Sequence, residues 1–419
     1  MPTISGLPYY EVHFNADGTL NASVGNGHGE LRAAVSAGDI DELFVFAHGW
    51  NNGVESARDL YAAMFTLLAG QLGGDFSGSA VVGVFWPSLL FPDDDPATAT
   101  PHPSTGAQIV TALAPAFPDQ QQDLATIGAL LDEKPQDPDR LSEFQSLAAN
   151  LVTTAPQGDE DTGEAAMLDG DTATVIGQGV AMAPKGDGDA QGIGNPFTGL
   201  WSGAREVLRT MSYYEMKNRA GVVGKDGLGP QIAALTPAPR VHLIGHSFGA
   251  RLVAYALAGM PENLTGSASP VKSVTLIQGA FSHFAFAAPM PIDGDRRGAL
   301  AGFANRVDGP LLATFTSADR AVGWWYPTAS MLARQDNEAV DDLVYRWGAM
   351  GRDGFQQNPA AVVTPLAAAG HVYDFDPGGF YAVDANAVIK ANQSAFSGAH
   401  SDIRHPEVMW AVAAAAGRT

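Results

Sequence analysis

Apolar residues along this chain fall into two alternating rhythms. Short buried runs bounded by turn residues predict strands, and runs with apolar positions three and four apart predict helices. In "ELFVFAHGW", Leu43 to Phe46 is a strand followed by a loop. "VESARDLYAAMFTLLAGQLGG" then sets Leu60, Met64, Leu67 and Leu68 on one helical face and ends in glycines. "AVVGVFWPS" is a second strand. Further on, "GLWSGAREVLRTMSYYEMKNRAG" spaces Trp201, Ala204, Leu208 and Met211 as an amphipathic helix closing at Gly221. Val241, Leu243 and Ile244 predict a strand, and Ala250 to Leu257 a helix that Gly259 and Pro261 end. "VKSVTLIQGAF" and "GPLLATFTSADR" are two more buried strands. "HVYDFDPGGFYAVDANAVI" reads as a hairpin around a Pro-Gly-Gly turn. "SGAHSDIRHPEVMWAVAAAAG" reads as a loop and a last helix opening at His405-Pro406.

Strands alternating with helices imply an α/β fold, with a mostly parallel sheet covered by helices on both faces. Ligands of such sheets bind outside the carboxyl ends of the strands. Four loops sit at such ends, after Phe46, Ile244, Ile277 and Thr316. The alternation breaks between residues 91 and 200, which hold eighteen Asp/Glu against three Lys/Arg, a net of −15. That stretch is rich in Pro and Gly, with short helices expected only at "QIVTALAPAF", "DLATIGALLDE" and "LSEFQSLAANLV". It reads as an acidic, partly loop-like insertion in a core made of residues 1–90 and 201–419, and as a possible cap or lid.

A chain of 419 residues with 46% hydrophobic and 16% charged residues has the composition of a globular protein. Its net charge of −22 argues against nucleic acid or an anionic membrane as the main partner. No stretch is apolar enough to insert stably in a membrane, and the first residues lack the basic and apolar regions of a secretory signal. A cytoplasmic location is therefore expected, unless a leader has been trimmed or export is signal-independent. The absence of cysteine excludes disulfides and thiolate nucleophiles.

The chemistry concentrates in "VHLIGHSFGARLV" (Val241 to Val253), where a strand runs into Gly245-His246-Ser247-Phe248-Gly249 and then a helix. This is G-x-S-x-G on a strand-to-helix turn. It exposes a serine hydroxyl at a helix N-terminus, where amides and the helix dipole favour developing negative charge. A serine nucleophile needs a base, an acid to orient that base, and donors for an oxyanion. With the order Ser, acid, His, only His283, His371, His400 and His405 can serve. His283 comes too early to leave an acid-bearing strand before it, His371 starts an expected strand, and His405 precedes proline at a helix start. His400, in "FSGAHSD", is placed as the fold requires. Asp319 follows the strand "LLATFTS" at its carboxyl end and is the expected acid, with Asp293, Asp308 and Asp384 as rivals. In "FAHGWNNG" the His-Gly pair lets backbone approach a substrate, so the Trp50 amide joins that of Phe248 as oxyanion donor, and His48 is structural.

"HGW", "GHSFGARLV", "TSADRAVGW" and "GAHSDI", in this order, resemble the α/β-hydrolase superfamily. More narrowly the chain is similar to bacterial serine esterases, whose pattern "SYYEMKNRAGVVG" also resembles. The resemblance covers roughly 40–90 and 200–415. It implies an α/β-hydrolase fold, a Ser247, Asp319, His400 triad, Trp50 and Phe248 as oxyanion donors, and a small-molecule or lipid ester as substrate. A lipase or phospholipase using the insertion as a lid, and a non-catalytic hydrolase fold used for binding, are the competing readings. Trp50, Trp86, Phe91, Phe281, Phe284, Phe286, Trp324 and Trp325 all fall near strand ends; His246, Phe281 and Trp324 are the expected substrate-binding residues. "DGDAQG" (Asp187 to Gly192) has the opening of a calcium loop, but Thr198 stands where the bidentate glutamate belongs. No metal and no cofactor are expected.

Overall fold

The computed structural model describes residues 2–50, 52–74, 76–88, 91, 104–155, 164–182, 196–322, 345, 348–391 and 398–419. Its centre is a nine-stranded sheet, in the order β1-β2-β4-β3-β5-β6-β7-β9-β8. The strands are β1 (Thr3–Ile4), β2 (Leu7–His13), β3 (Glu42–Ala47), β4 (Ser79–Phe85), β5 (Arg240–His246), β6 (Val271–Ile277), β7 (Leu311–Phe315), β8 (Val362–Pro365) and β9 (Phe380–Asp384). Only β1 runs antiparallel to its neighbour. Along β3 the side chains alternate between two cores. Leu43, Val45 and Ala47 join one, Phe44 and Phe46 the other, as the two-residue period of a strand demands.

Helices cover both faces. One carries α2 (Val54–Gln71) and α11 (Pro406–Ala415), which pack on each other. The other carries α1 (Gly27–Ala37), the insertion helices, α8 (Pro196–Val222), α9 (Gly229–Ala233) and α10 (Phe248–Gly259). A π-helical turn, Val223–Leu228, joins α8 to α9. The insertion holds the three short helices expected of it and two more. Where described it is helical: α3 (Gly106–Leu113), α4 (Gln121–Glu133), α5 (Pro138–Ala149), α6 (Glu164–Asp169) and α7 (Thr172–Met182). Ile109, Leu124, Ile127, Phe144, Val175 and Trp201 bury a core continuous with that of the sheet. Several of the Gly and acidic residues that suggested loops lie within these helices, among them Gly128, Gly179, Asp132 and Glu143, and "DGDAQG" lies outside the described residues.

The expected hairpin at 371–389 is also corrected. Its second limb is β9, lying between β7 and β8 and parallel to both. Its first limb is not a strand. Tyr373 stacks on Phe375, which packs edge-on against Tyr381, and the Tyr381 hydroxyl bonds the backbone at Asp374 and Asp376. Side-chain packing, rather than a ladder, therefore occupies that segment.

The strand order also contains a reversal. From β3 the chain goes through α2 to β4 on one side, and later returns to β5 on the other. The chain reverses its direction of travel across the sheet between β3 and β5, and open parallel sheets bind ligands beside such a reversal.

Candidate active site

Ser247 joins β5 to α10 with φ +57° and ψ −123°, a conformation an L-residue adopts only under constraint. The constraint is supplied on all sides. Its amide donates to the Ile277 carbonyl (3.1 Å), and its carbonyl accepts from Ala280 (3.2 Å) and Ala250 (3.1 Å). Close packing explains the flanking glycines. A Cβ on Gly245 would lie 2.5 Å from Ala250 N, and one on Gly249 would lie 2.5 Å from the His48 carbonyl oxygen and overlap that of Ala47. The loop after β3 thus lies directly against the elbow.

Three loops bring the expected triad together. Ser247 Oγ lies 2.8 Å from His400 Nε2, and His400 Nδ1 lies 2.7 Å from Asp319 Oδ2. A carboxylate only accepts, so Nδ1 carries the proton and Nε2 accepts from the serine hydroxyl. Asp319 is 1% exposed and His400 9%, so the dyad is shielded from solvent. The loop bearing His400 is clamped to the one bearing Asp319: Asp319 bridges Gly398, and Ala399 N donates to Ala318 O at 3.0 Å. The rival acids are occupied elsewhere. Asp308 pairs with Lys272 (2.6 Å), Asp293 accepts from Asp295 N, and Asp384 accepts from Asn386. His283 bonds Asp353 at 2.7 Å, His405 bonds Asp402, and His371 lies in no strand.

His48 is buried and held by its hydrogen bonds. Its amide donates to the Tyr61 hydroxyl (3.0 Å), which donates to Val84 O, and its carbonyl accepts from Trp86 Nε1 (3.0 Å). Its Nδ1 donates to the Gly49 carbonyl (2.9 Å), which Asn52 also contacts. Since a trans peptide sets C=O and N–H on opposite sides, this turns the Trp50 amide away from the His48 ring. The Phe248 amide, first in α10, has no acceptor within its helix. A Cβ on Gly49 would sit 2.5 Å from Ser247 Cβ, so this strap runs alongside the serine. Burial holds the His48 imidazole down to about pKa 4.

The three expected substrate-binding residues fare differently. His246 is 5% exposed and donates from Nε2 to the His400 carbonyl (2.9 Å), so its contact is with the histidine loop. Burial first, then the neighbouring His400, pushes it down to about pKa 3. Phe281 is fully buried in the main core. Trp324, like Trp325, lies outside the described residues. Of the other aromatics, Trp50 packs against Tyr213 and Phe248, while Phe286 joins Phe355 and Phe380.

Sequence reasoning missed Gln278, whose side chain bonds Asp319. Its only signal was position, directly after a strand at the carboxyl edge. Among the described residues no group of His, Asp or Glu side chains could hold a metal ion, and no helix is long and apolar enough to cross a membrane. No known protein family, curated protein or solved structure matches the chain.

Proposed function

We propose that this chain is a serine hydrolase of carboxylic esters, built on an α/β-hydrolase fold and akin to bacterial serine esterases. One observation carries the reading: a strained, helix-capping Ser247 within hydrogen-bond reach of His400, itself oriented by a buried Asp319. Ser247 Oγ attacks the ester carbonyl as His400 Nε2 takes its proton. The imidazolium is stabilised by Asp319, and the amides of Trp50 and Phe248 hold the oxyanion. Collapse expels the alcohol, protonated by His400, and leaves an acyl-serine. Water, activated by the same histidine, releases the acid and restores the serine.

The insertion is read as a cap beside the cleft. Its chain leaves from the carboxyl end of β4 and returns through α8, whose Tyr213 touches both Trp50 and Phe248. Its net charge of −15 favours neutral or cationic esters over anionic ones.

The test is a fluorophosphonate probe together with a panel of esters of graded acyl length. Ser247→Ala should abolish labelling and lower turnover by about 10⁴-fold or more. Labelling of a different serine, or unchanged turnover in Ser247→Ala, would overturn the assignment.

A further inference from the structure

Directly after β6, Gln278 takes φ +46°, a left-handed conformation uncommon outside glycine, and its side chain is wholly buried. Its polar groups are matched one by one. The backbone N–H donates to Thr314 Oγ1 (3.0 Å), and the Thr314 hydroxyl donates back to Gln278 Oε1 (3.0 Å). The amide nitrogen Nε2 then faces two acceptors, Asp319 Oδ2 at 2.9 Å and the Gly351 carbonyl at 3.2 Å. A carboxylate and a carbonyl can only accept, so the chemistry admits one orientation of this amide.

The oxygen that Gln278 reaches is the one that accepts from His400 Nδ1. The other carboxylate oxygen, Oδ1, accepts from the amide of Val322 at 3.1 Å. Asp319 is therefore held at three points, of which His400 is the one that works in catalysis. Resting on the triad reading above, we propose that Gln278 is a positioning residue: it fixes the Asp319 carboxylate so that His400 presents Nε2 to Ser247. Thr314 has a supporting part, since its hydroxyl keeps the amide from turning over. Without the Nε2 donor a buried carboxylate loses one of its partners, and its plane is free to swing away from the imidazole.

Gln278→Met keeps the length of the side chain and removes the donor. It should lower kcat about ten- to hundredfold, the scale of one hydrogen bond to a charged group, with KM little changed. The low-field proton resonance of the His400–Asp319 hydrogen bond should shift or broaden in the resting protein. Thr314→Val should do the same more weakly, and the double variant should be no worse than Gln278→Met, because both act through one contact. Thermal unfolding of each variant gives the folded fraction. Should kcat and the resonance survive in folded Gln278→Met, or should the two variants add, the proposal fails. The resonance needs no substrate. If the wild type turned over no ester and the resonance still moved, the positioning role would stand and the esterase reading would fall.

Discussion

Acid should loosen this protein through histidines that its fold keeps uncharged. Both His48 and His246 are buried, and burial is the main force holding them down to about pKa 4 and about pKa 3, from an ordinary 6.5. Below the ordinary value the unfolded chain takes up protons that the folded chain refuses. Stability present above it is therefore lost as pH falls toward the folded values. At about 1.4 kcal/mol per unit, each histidine costs about 2 kcal/mol between pH 7 and pH 5. Two together remove about 4 kcal/mol, a large share of the 5–15 kcal/mol typical of a domain. His242, also depressed chiefly by burial, adds a loss of the same sign. Glu42 acts lower down. Burial alone would raise it, but the His242 hydrogen bond and nearby positive charge hold it to about 2, so its contribution disappears only between about 4.5 and 2. The decisive variant is His48→Gln, whose amide can donate to the Gly49 carbonyl but cannot titrate. Urea unfolding followed by tryptophan fluorescence at pH 7, 6 and 5 gives the stability of each form. His48→Gln should start less stable and lose about 2 kcal/mol less than the wild type over that range. Equal losses in the two forms would show that His48 does not resist protonation, and the reasoning would fail.

Gly249→Ala should destabilise the fold by about 1–3 kcal/mol and reduce fluorophosphonate labelling, because the new methyl meets the backbone carbonyls of Ala47 and His48 rather than a movable side chain. Wild-type stability with full labelling would refute the close packing of elbow and strap. Arg306→Met should cost about 1.5–3 kcal/mol in chemical unfolding, since the buried guanidinium donates to the carbonyls of Leu257 (2.7 Å) and Ala258 (3.3 Å) at the end of α10 and to that of Met260 just beyond it. An unchanged unfolding midpoint would mean that solvent or a neighbour satisfies those carbonyls.

The strands with the most continuous apolar runs were the most legible. The cores of β3, β4, β5, β6 and β7 lie within the predicted runs, because strands buried on both faces carry uninterrupted apolar residues. Two strands near the sheet edges were harder. β2 mixes Tyr9, Tyr10 and Glu11 near the edge of the sheet, and β8 exposes Val362 and Val363. In both, the pattern that separates strand from loop is diluted by a half-exposed position. The insertion misled for a different reason. Glycines suggested loop there, but α7 carries Gly179 in its interior and closes on α8 at Gly203. Composition averaged over 110 residues hid α6 and α7, while α3, α4 and α5 lie where short helices were expected.

The site was legible wherever chemistry demands a particular side chain at a strand end. Ser247, Asp319 and His400 each combine a reactive group with a position at the carboxyl edge, and the fold brings them within hydrogen-bond reach. Gln278 has the position without a reactive group, so nothing in its type distinguishes it. The backbone does. Among the described residues, four non-glycine positions have positive φ, and two of them, Ser247 and Gln278, end the adjacent strands β5 and β6. The two turns are tied together by Ser247 N to Ile277 O and Ala280 N to Ser247 O. Left-handed backbone costs roughly 1–2 kcal/mol for an ordinary residue and survives only where its surroundings over-determine it. Here the turn that presents the serine and the turn that braces the aspartate determine each other. A change that relaxes one should therefore be felt at the other, which ties Ser247 and Asp319 into a single mechanical unit.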